Sequence, residues 1–249
     1  MISTGFGQSF LINMKFLIGK KKEMTQIFEE SGRVIPVTVV SAGPCFVTQI
    51  KTKDHDGYEA VQVGYQIRKK GNTKSNLKSK FQFIKEFRSR GSDFEKLSTL
   101  KVNDEIAVET FEVGDKINLI GYSKGRGFQG VVKRHGFHGH PATHGHKDQL
   151  RMPGSIGSKR TGSVAPGKRM AGHMGDAQVT VKNLPIIKIV PEKNEIYLAG
   201  AVPGARNGLV LLTAVGDLKI KKQKVEATVQ EQALKESTTE AVSQTEVQE

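Results

Sequence analysis

Apolar and polar residues alternate in short runs over the first quarter of the chain. Turn signals such as Ser31-Gly32 and Asp56-Gly57 separate the runs, which cover residues 15–18, 34–40, 45–50 and 60–65. Alternation with a period of two places every second side chain on one face of a strand. Because the intervals leave little room for crossover helices, the pattern predicts a mainly β protein built on an antiparallel β-barrel or sandwich.

The pattern changes between residues 66 and 115, which we interpret as an insertion into this β-domain. Leu77, Phe81, Ile84 and Arg88 recur at helical spacing and predict one short helix near residues 77–88. Strand patterns return at residues 116–123, 177–181, 186–190, 195–199 and 209–212. The predicted β-domain therefore comprises residues 14–120 and 176–220.

Residues 121–175, called the basic loop from here on, fit neither pattern. They contain 13 of the 27 glycines, six of the seven histidines, ten Lys or Arg residues and one acid, Asp148. A segment with so few apolar residues cannot bury itself. Loops of this length inside a compact domain are usually functional or disordered, so the sequence predicts a long, irregular Gly/His-rich loop with a function.

The two ends of the chain are expected to lie outside the β-domain. Residues 1–13 have no basic segment and no long apolar run, and we interpret them as a loose N-terminal arm rather than a signal peptide. Residues 225–249 carry six Glu and one Lys, which predicts a disordered acidic tail. A single cysteine, Cys45, excludes an intramolecular disulfide and favours a reducing compartment.

Net charge points to the class of partner. The chain carries +13, and because the tail contributes −5, residues 1–224 carry +18. A surplus of this size favours a polyanionic partner.

A nucleotide enzyme is the first alternative, because residues 125–132 spell G-x-G-x-x-G-x-V. A dinucleotide fold needs a helix to begin here, and Gly136, Gly139 and Pro141 argue against one. A kinase needs H-R-D and D-F-G motifs as well, and the chain offers only Asp93-Phe94-Glu95. We therefore do not predict a nucleotide site.

A metal or catalytic site is the second alternative. Five histidines fall within twelve residues, namely His135, His138, His140, His144 and His146. Only Asp148 accompanies them, and the glycines between them give no rigid ligand geometry. The nearby Ser123, Ser155 and Ser163 likewise lack an apolar scaffold that would fix a catalytic triad. We interpret the rings as contacts to a partner, and predict no metal, cofactor or catalytic residue.

An RNA partner accounts for all of these features together. Glycine allows close backbone approach, arginine offers forked donors to phosphate, and His, Phe128 and Phe137 offer planar faces to unpaired bases. DNA stays open, although no recognition helix is evident. The predicted RNA-binding residues are Lys124, Arg126, Lys133, Arg134, His135, His138, His144, Lys147, Arg151, Lys159, Arg160, Lys168 and Arg169.

Residues 111–134 also carry a specific motif. Its members are Phe111, Asn118, Gly121, Ser123, Gly125, Arg126, Gly127, Gly130 and Arg134. Further matching segments are residues 19–21, 24–28, 36–39, 42–45, 153–157, 167–172 and 201–204. Together these segments resemble the bacterial type of the large-subunit ribosomal protein L-three family, over about residues 14–220.

The resemblance implies a β-barrel that extends a long loop into ribosomal RNA toward the peptidyl-transferase region. We therefore predict a structural constituent of the large ribosomal subunit in the cytoplasm, with a role in early assembly. Its partners are expected to be large-subunit (23S-type) rRNA and neighbouring large-subunit proteins. Enzymatic activity, a small-molecule substrate and a membrane are not expected. The alternative is an RNA- or DNA-binding protein outside the ribosome.

Overall fold

The computed structural model describes residues 14–68, 80–88, 100–158, 160 and 162–221. The strands are Met14–Phe28 (β1), Val34–Ala42 (β2), Cys45–Lys51 (β3), Ala60–Ile67 (β4), Phe81–Arg88 (β5), Glu105–Ile106 (β6), Lys116–Tyr122 (β7), Gly127–Gln129 (β8), Gly172–Met174 (β9), Gln178–Val190 (β10), Glu195–Ala199 (β11), Leu209–Val215 (β12) and Ile220–Lys221 (β13). The α-helices are Lys53–Asp56 (α1) and Val131–His135 (α2), and single 3-10 turns cover Val108–Thr110, Lys147–Gln149 and Pro191–Lys193. None of the helices within these ranges is long and apolar enough to cross a membrane.

Six strands close a barrel in the order β1-β12-β7-β10-β11-β2, and every neighbouring pair is antiparallel. Strand β1 pairs with two neighbours along different parts of its length. Its residues 14–20 pair with β12, and its residues 19–28 pair with β2 across a bulge between Lys21 and Glu23. The bulge bends the strand between its two neighbours. The structure thus confirms the antiparallel β-barrel, which the alternating pattern predicts as one of two architectures and which the family resemblance implies.

The barrel interior is filled by the apolar side chains that alternate along its strands. Leu17, Leu119, Ile196 and Leu212 have no exposed surface. Burial of a side chain of this size contributes about 1.5–3 kcal/mol, so this interior supplies a large share of the free energy of folding.

A second sheet, in the order β13-β6-β3-β4-β5, packs against the barrel. Strands β3 and β4 belong to this sheet, although their alternation was interpreted as part of the barrel. The chain changes direction at Gly43, whose φ is +74°, directly after β2. The two sheets share one core, in which the rings of Phe16 and Phe87 stack with centroids 4.6 Å apart.

The short helix predicted near residues 77–88 is wrong over Phe81–Arg88, which forms strand β5; residues 77–79 lie outside the described ranges. Phe81 and Phe87 are buried and Phe83 is half-buried, so these aromatic residues follow a period of two. The helical spacing of Leu77, Phe81, Ile84 and Arg88 competed with that period. Pairing with β4 along the whole strand favours the extended form.

Candidate nucleic-acid interface

The basic loop leaves the barrel at the end of β7 and returns at the start of β10. Two hydrogen bonds join its ends, since the Ser123 amide donates to the Ala177 carbonyl oxygen at 2.9 Å and the Ala177 amide donates to Ser123 Oγ at 3.2 Å. At Gly175, where φ is +79°, a Cβ atom would lie 2.2 Å from the Lys124 carbonyl oxygen. Only glycine fits at that position. The two ends of the loop therefore lie close together at residues 123–124 and 175–177, called the root of the loop from here on.

Regular structure continues beyond the root. Strands β8 and β9 pair over three residues each, and helix α2 follows at once, with the side chain of Val131 buried. A short helix thus begins after the glycine motif, where the sequence argues only against the helix of a dinucleotide fold. The helix is only five residues long, however, and ends at Gly136 in the left-handed conformation, so it lacks the length of a dinucleotide-binding helix.

Two of the predicted RNA-binding residues make contacts within the loop. Arg134 Nη1 donates to the Met170 carbonyl oxygen at 2.7 Å, and His135 Nε2 lies 3.0 Å from the same oxygen. These contacts join α2 to the returning arm of the loop. Arg134 therefore helps to hold the loop together in addition to presenting an exposed side chain.

The outer part of the loop is braced by backbone contacts and ring pairs. The His140 amide donates to the Leu150 carbonyl oxygen at 3.1 Å. A Cβ atom on the neighbouring Gly139 would lie 2.0 Å from that oxygen. The His140 and His146 rings stack on each other with centroids 5.5 Å apart. These two rings therefore have partners within the loop, whereas His138 and His144 are exposed.

The described cations of the loop all lie at the surface. They are Lys124, Arg126, Lys133, Arg134, Lys147, Arg151, Arg160, Lys168 and Arg169. Lys159, also predicted to bind RNA, lies outside the described residues. Over residues 121–158, 160 and 162–175, no ion pair to a carboxylate joins any of these cations. The loop thus presents positive charge that no carboxylate in the described part of the chain neutralises.

A cleft of about 450 Å³ lies where the loop meets the barrel rim. Lys21, Lys124 and Arg126 line it, together with Ser123 and Gly204. The Lys21 ammonium group donates to the carbonyl oxygens of Val202 at 2.8 Å and Gly204 at 3.4 Å. Burial, and secondarily the charge of Lys124, lower the pKa of Lys21. Sequence reasoning missed Lys21, because nothing in the run Lys20-Lys21-Lys22 shows which lysine faces the loop.

An exposed aromatic pair lies just beyond this cleft. Phe128 and His173 are direct cross-strand partners in the β8–β9 ladder, so their side chains share one face. The Phe128 ring is 77% exposed, and His173 is exposed as well. His173 was not among the predicted site residues, since its place opposite Phe128 depends on pairing across more than forty residues.

A metal centre is not assembled by the described part of the chain. No group of three or more His, Cys, Asp or Glu side chains lies close enough there to hold an ion.

Comparison with known proteins links this arrangement to one family. The model of the family described as ribosomal protein L3 matches residues 65–196. The large ribosomal subunit protein uL3 of Herpetosiphon aurantiacus is 51% identical over 203 residues, which cover 79% of this chain and 94% of that protein. Its counterpart in Dehalococcoides mccartyi is 48% identical, with 80% of this chain and 98% of that protein covered. The counterpart in Syntrophobacter fumaroxidans is 41% identical, with 80% and 96% covered.

Proposed function

The chain belongs to the ribosomal protein L3 family, and we propose that it binds large-subunit rRNA directly through its basic loop, as a structural constituent of the large ribosomal subunit. The residues proposed to contact RNA are the exposed cations of the loop together with His138 and His144. Lys159 is included on the sequence pattern alone. Lys21, at the root of the loop, joins this set.

One observation carries the proposal. The described loop holds nine exposed cations without a carboxylate partner, and only one of its apolar side chains, Val131, is buried. A segment of this kind gains little from its own packing. Phosphate groups would neutralise its charges and release counterions, which favours binding.

The geometry suits folded RNA. Glycines with positive φ, such as Gly139 and Gly175, let the two arms of the loop approach each other closely, so the loop is narrow as well as cationic. Arginine side chains along it bind phosphate oxygens in a forked manner. Exposed rings such as Phe128 offer stacking faces to unpaired bases. The closed barrel provides a rigid base from which the loop extends.

Three finer points follow from membership in the family and from the features above. We propose that the loop extends toward the peptidyl-transferase region, that the protein acts early in subunit assembly, and that neighbouring large-subunit proteins pack against it. Its place of action is the cytoplasmic ribosome. Its contribution is positional, since the barrel docks on RNA and the loop neutralises phosphates between RNA helices, and no catalytic step is assigned to it.

Sedimentation followed by crosslink mapping tests the proposal. The full-length tagged chain is expected to sediment with large subunits in a cell lysate, and ultraviolet crosslinks to rRNA are expected to map to residues 121–175. Failure to sediment with subunits would favour a nucleic-acid-binding protein outside the ribosome. Crosslinks confined to the barrel would show that another surface binds the RNA.

A further inference from the structure

Three cations from separate parts of the sequence converge on the cleft at the barrel rim. Lys21 comes from β1 at the bulge, whereas Lys124 and Arg126 come from the first residues of the loop. The residues that line this cleft in the described part of the chain include neither Asp nor Glu. Like charges held close together without a counterion repel one another. The lowered pKa of Lys21, which has burial and then Lys124 as its causes, agrees with that repulsion.

The cleft is built by backbone that has little room to move. A Cβ atom on Gly204 would lie 2.8 Å from the Tyr122 carbonyl oxygen, and one on Gly175 would lie 2.2 Å from that of Lys124. The hydrogen bonds between Ser123 and Ala177 hold the same wall. The backbone that carries these cations is therefore largely in place before any ligand arrives, which lowers the cost of ordering the site on binding.

Lys21 is placed to act as the fixed member of the group. An ammonium group has three N–H donors. The carbonyl oxygens of Val202 and Gly204 accept from Lys21 and orient its head group at the cleft. A third donor remains for a ligand. Lys124 and Arg126 are exposed and approach from the loop side.

We propose that this cleft is a phosphate-binding site, in which Lys21, Lys124 and Arg126 together hold a backbone phosphate of RNA at the root of the loop. The inference rests on the proposed function and adds a defined site to it. A phosphate there removes the repulsion between Lys21 on the barrel and Lys124 on the loop. Binding therefore strengthens the contact between the barrel and the root of the loop.

Salt dependence of RNA binding by the full chain tests the site. Lys21→Gln and Lys124→Gln are each compared with Lys20→Gln, which removes the same charge from the adjacent residue. Lys20 is a matched control because its ammonium group donates to Gln66 Oε1 at 2.6 Å and lies 4.7 Å from the centroid of the Phe83 ring, and it does not line the cleft. The RNA is a transcript of large-subunit rRNA.

Each cleft variant is expected to reduce the slope of log affinity against log salt by up to about 0.7–0.9. The affinity lost between ~50 and ~200 mM salt then shrinks by roughly threefold, whereas the Lys20→Gln slope stays at the wild-type value. Lys21→Arg, which keeps the charge, is expected to retain the wild-type slope. Because Lys124 is exposed, its variant tests the site even where Lys21→Gln fails to fold.

Equal slopes for the cleft variants and Lys20→Gln would overturn the site while leaving the proposed function intact. Absence of RNA binding by the wild-type chain would overturn both. Titration with inorganic phosphate, monitored through the backbone amide resonances, distinguishes free phosphate from an RNA phosphate as the ligand. Shifts at Ser123, Arg126 and Gly175 that disappear in Lys21→Gln support the site. Such shifts with unchanged RNA slopes would show a site for free phosphate and contradict the assignment to RNA.

Discussion

The barrel and the basic loop are held together by different forces. In the barrel, side chains such as Leu119 and Leu212 are fully buried between paired strands. In the loop, Val131 is the one apolar side chain of the described residues that is buried, and glycine-permitted backbone contacts replace a core. Apolar burial requires no partner, whereas uncompensated positive charge does. The barrel is therefore expected to be stable alone, and the loop to depend on RNA.

The largest effect is expected from opening the barrel core. Leu212→Ala removes a fully buried side chain that lies opposite Leu17 and Leu119 on neighbouring strands, and should reduce the free energy of unfolding by about 2–5 kcal/mol. Phe128→Ala in the loop removes an exposed ring and should change the free energy of unfolding by less than about 0.5 kcal/mol. Denaturant titration of both variants measures the contrast. Equal losses would show that the loop contributes to the core.

A pair of glycine substitutions tests the backbone bracing of the loop. Gly139 and Gly145 both have positive φ, of 74° and 78°. A Cβ atom at Gly139 would lie 2.0 Å from the Leu150 carbonyl oxygen, whereas one at Gly145 would meet nothing within 4 Å. Both Gly→Ala variants carry about 1–3 kcal/mol of backbone strain, and only Gly139→Ala adds a clash.

We therefore expect Gly139→Ala to weaken rRNA binding roughly tenfold more than Gly145→Ala does, equivalent to about 1.4 kcal/mol. The melting temperature should stay the same in both, because the strain lies outside the barrel. Filter binding and thermal melting provide the two readouts. Equal affinities for both variants would mean that the contact between Gly139 and Leu150 does not shape the RNA-binding surface.

Two arginines of the loop should behave differently in a salt titration. Arg151 is exposed, so Arg151→Gln is expected to reduce the salt slope of rRNA binding by about 0.7–0.9. Arg134 donates to the Met170 carbonyl oxygen, and Arg134→Gln should reduce the slope less while making the loop more sensitive to protease. The melting temperature serves as the control for both. A larger slope change for Arg134 would contradict its bracing role.

The smallest effect concerns acid sensitivity of the barrel. Lys22 Nζ lies 2.6 Å from Glu195 Oε1 and joins β1 to β11. This hydrogen bond holds the pKa of Glu195 below its ordinary value of 4.5, although burial opposes the shift. A carboxyl whose pKa is lowered by folding stabilises the protein above that ordinary value and loses this contribution as pH falls below it.

The free energy of unfolding should accordingly decrease below about pH 4.5, and Glu195→Gln should show a shallower decrease. Denaturant titrations between pH 6 and pH 3, conditions chosen to lie on either side of the ordinary carboxyl pKa, measure how the free energy of unfolding changes with pH in the wild type and in the variant. Identical slopes in the variant and the wild type would remove Glu195 from the account of acid stability.

The barrel was predictable because its strands carry their own signal. Alternation around Leu119 and Leu212 records which face is buried, and the same residues form the core. Assignment of β3 and β4 to a second sheet could not be predicted, since alternation says which face is buried but not against which strand. Strand β5 was missed because the spacing of its aromatic residues fits a helix as well as a strand over so short a run.

The candidate site was predictable in composition rather than in geometry. Clustered cations and glycines marked residues 121–175 as the RNA-binding segment, a role that stays a prediction. The inward contact of Arg134 and the stacking of His140 on His146 depend on how the loop folds back, which local spacing does not encode. Lys21 was missed for the same reason, because it meets the loop only after the barrel closes.

Hydrogen exchange of the full-length chain, with and without large-subunit rRNA, tests the central contrast most directly. Amides of β1, β7 and β12 are expected to be strongly protected in both states. Amides of residues 136–170 are expected to exchange rapidly in the free chain and to become protected when rRNA is added. Equal protection of those residues in both states would contradict dependence on RNA, as would new protection confined to the barrel.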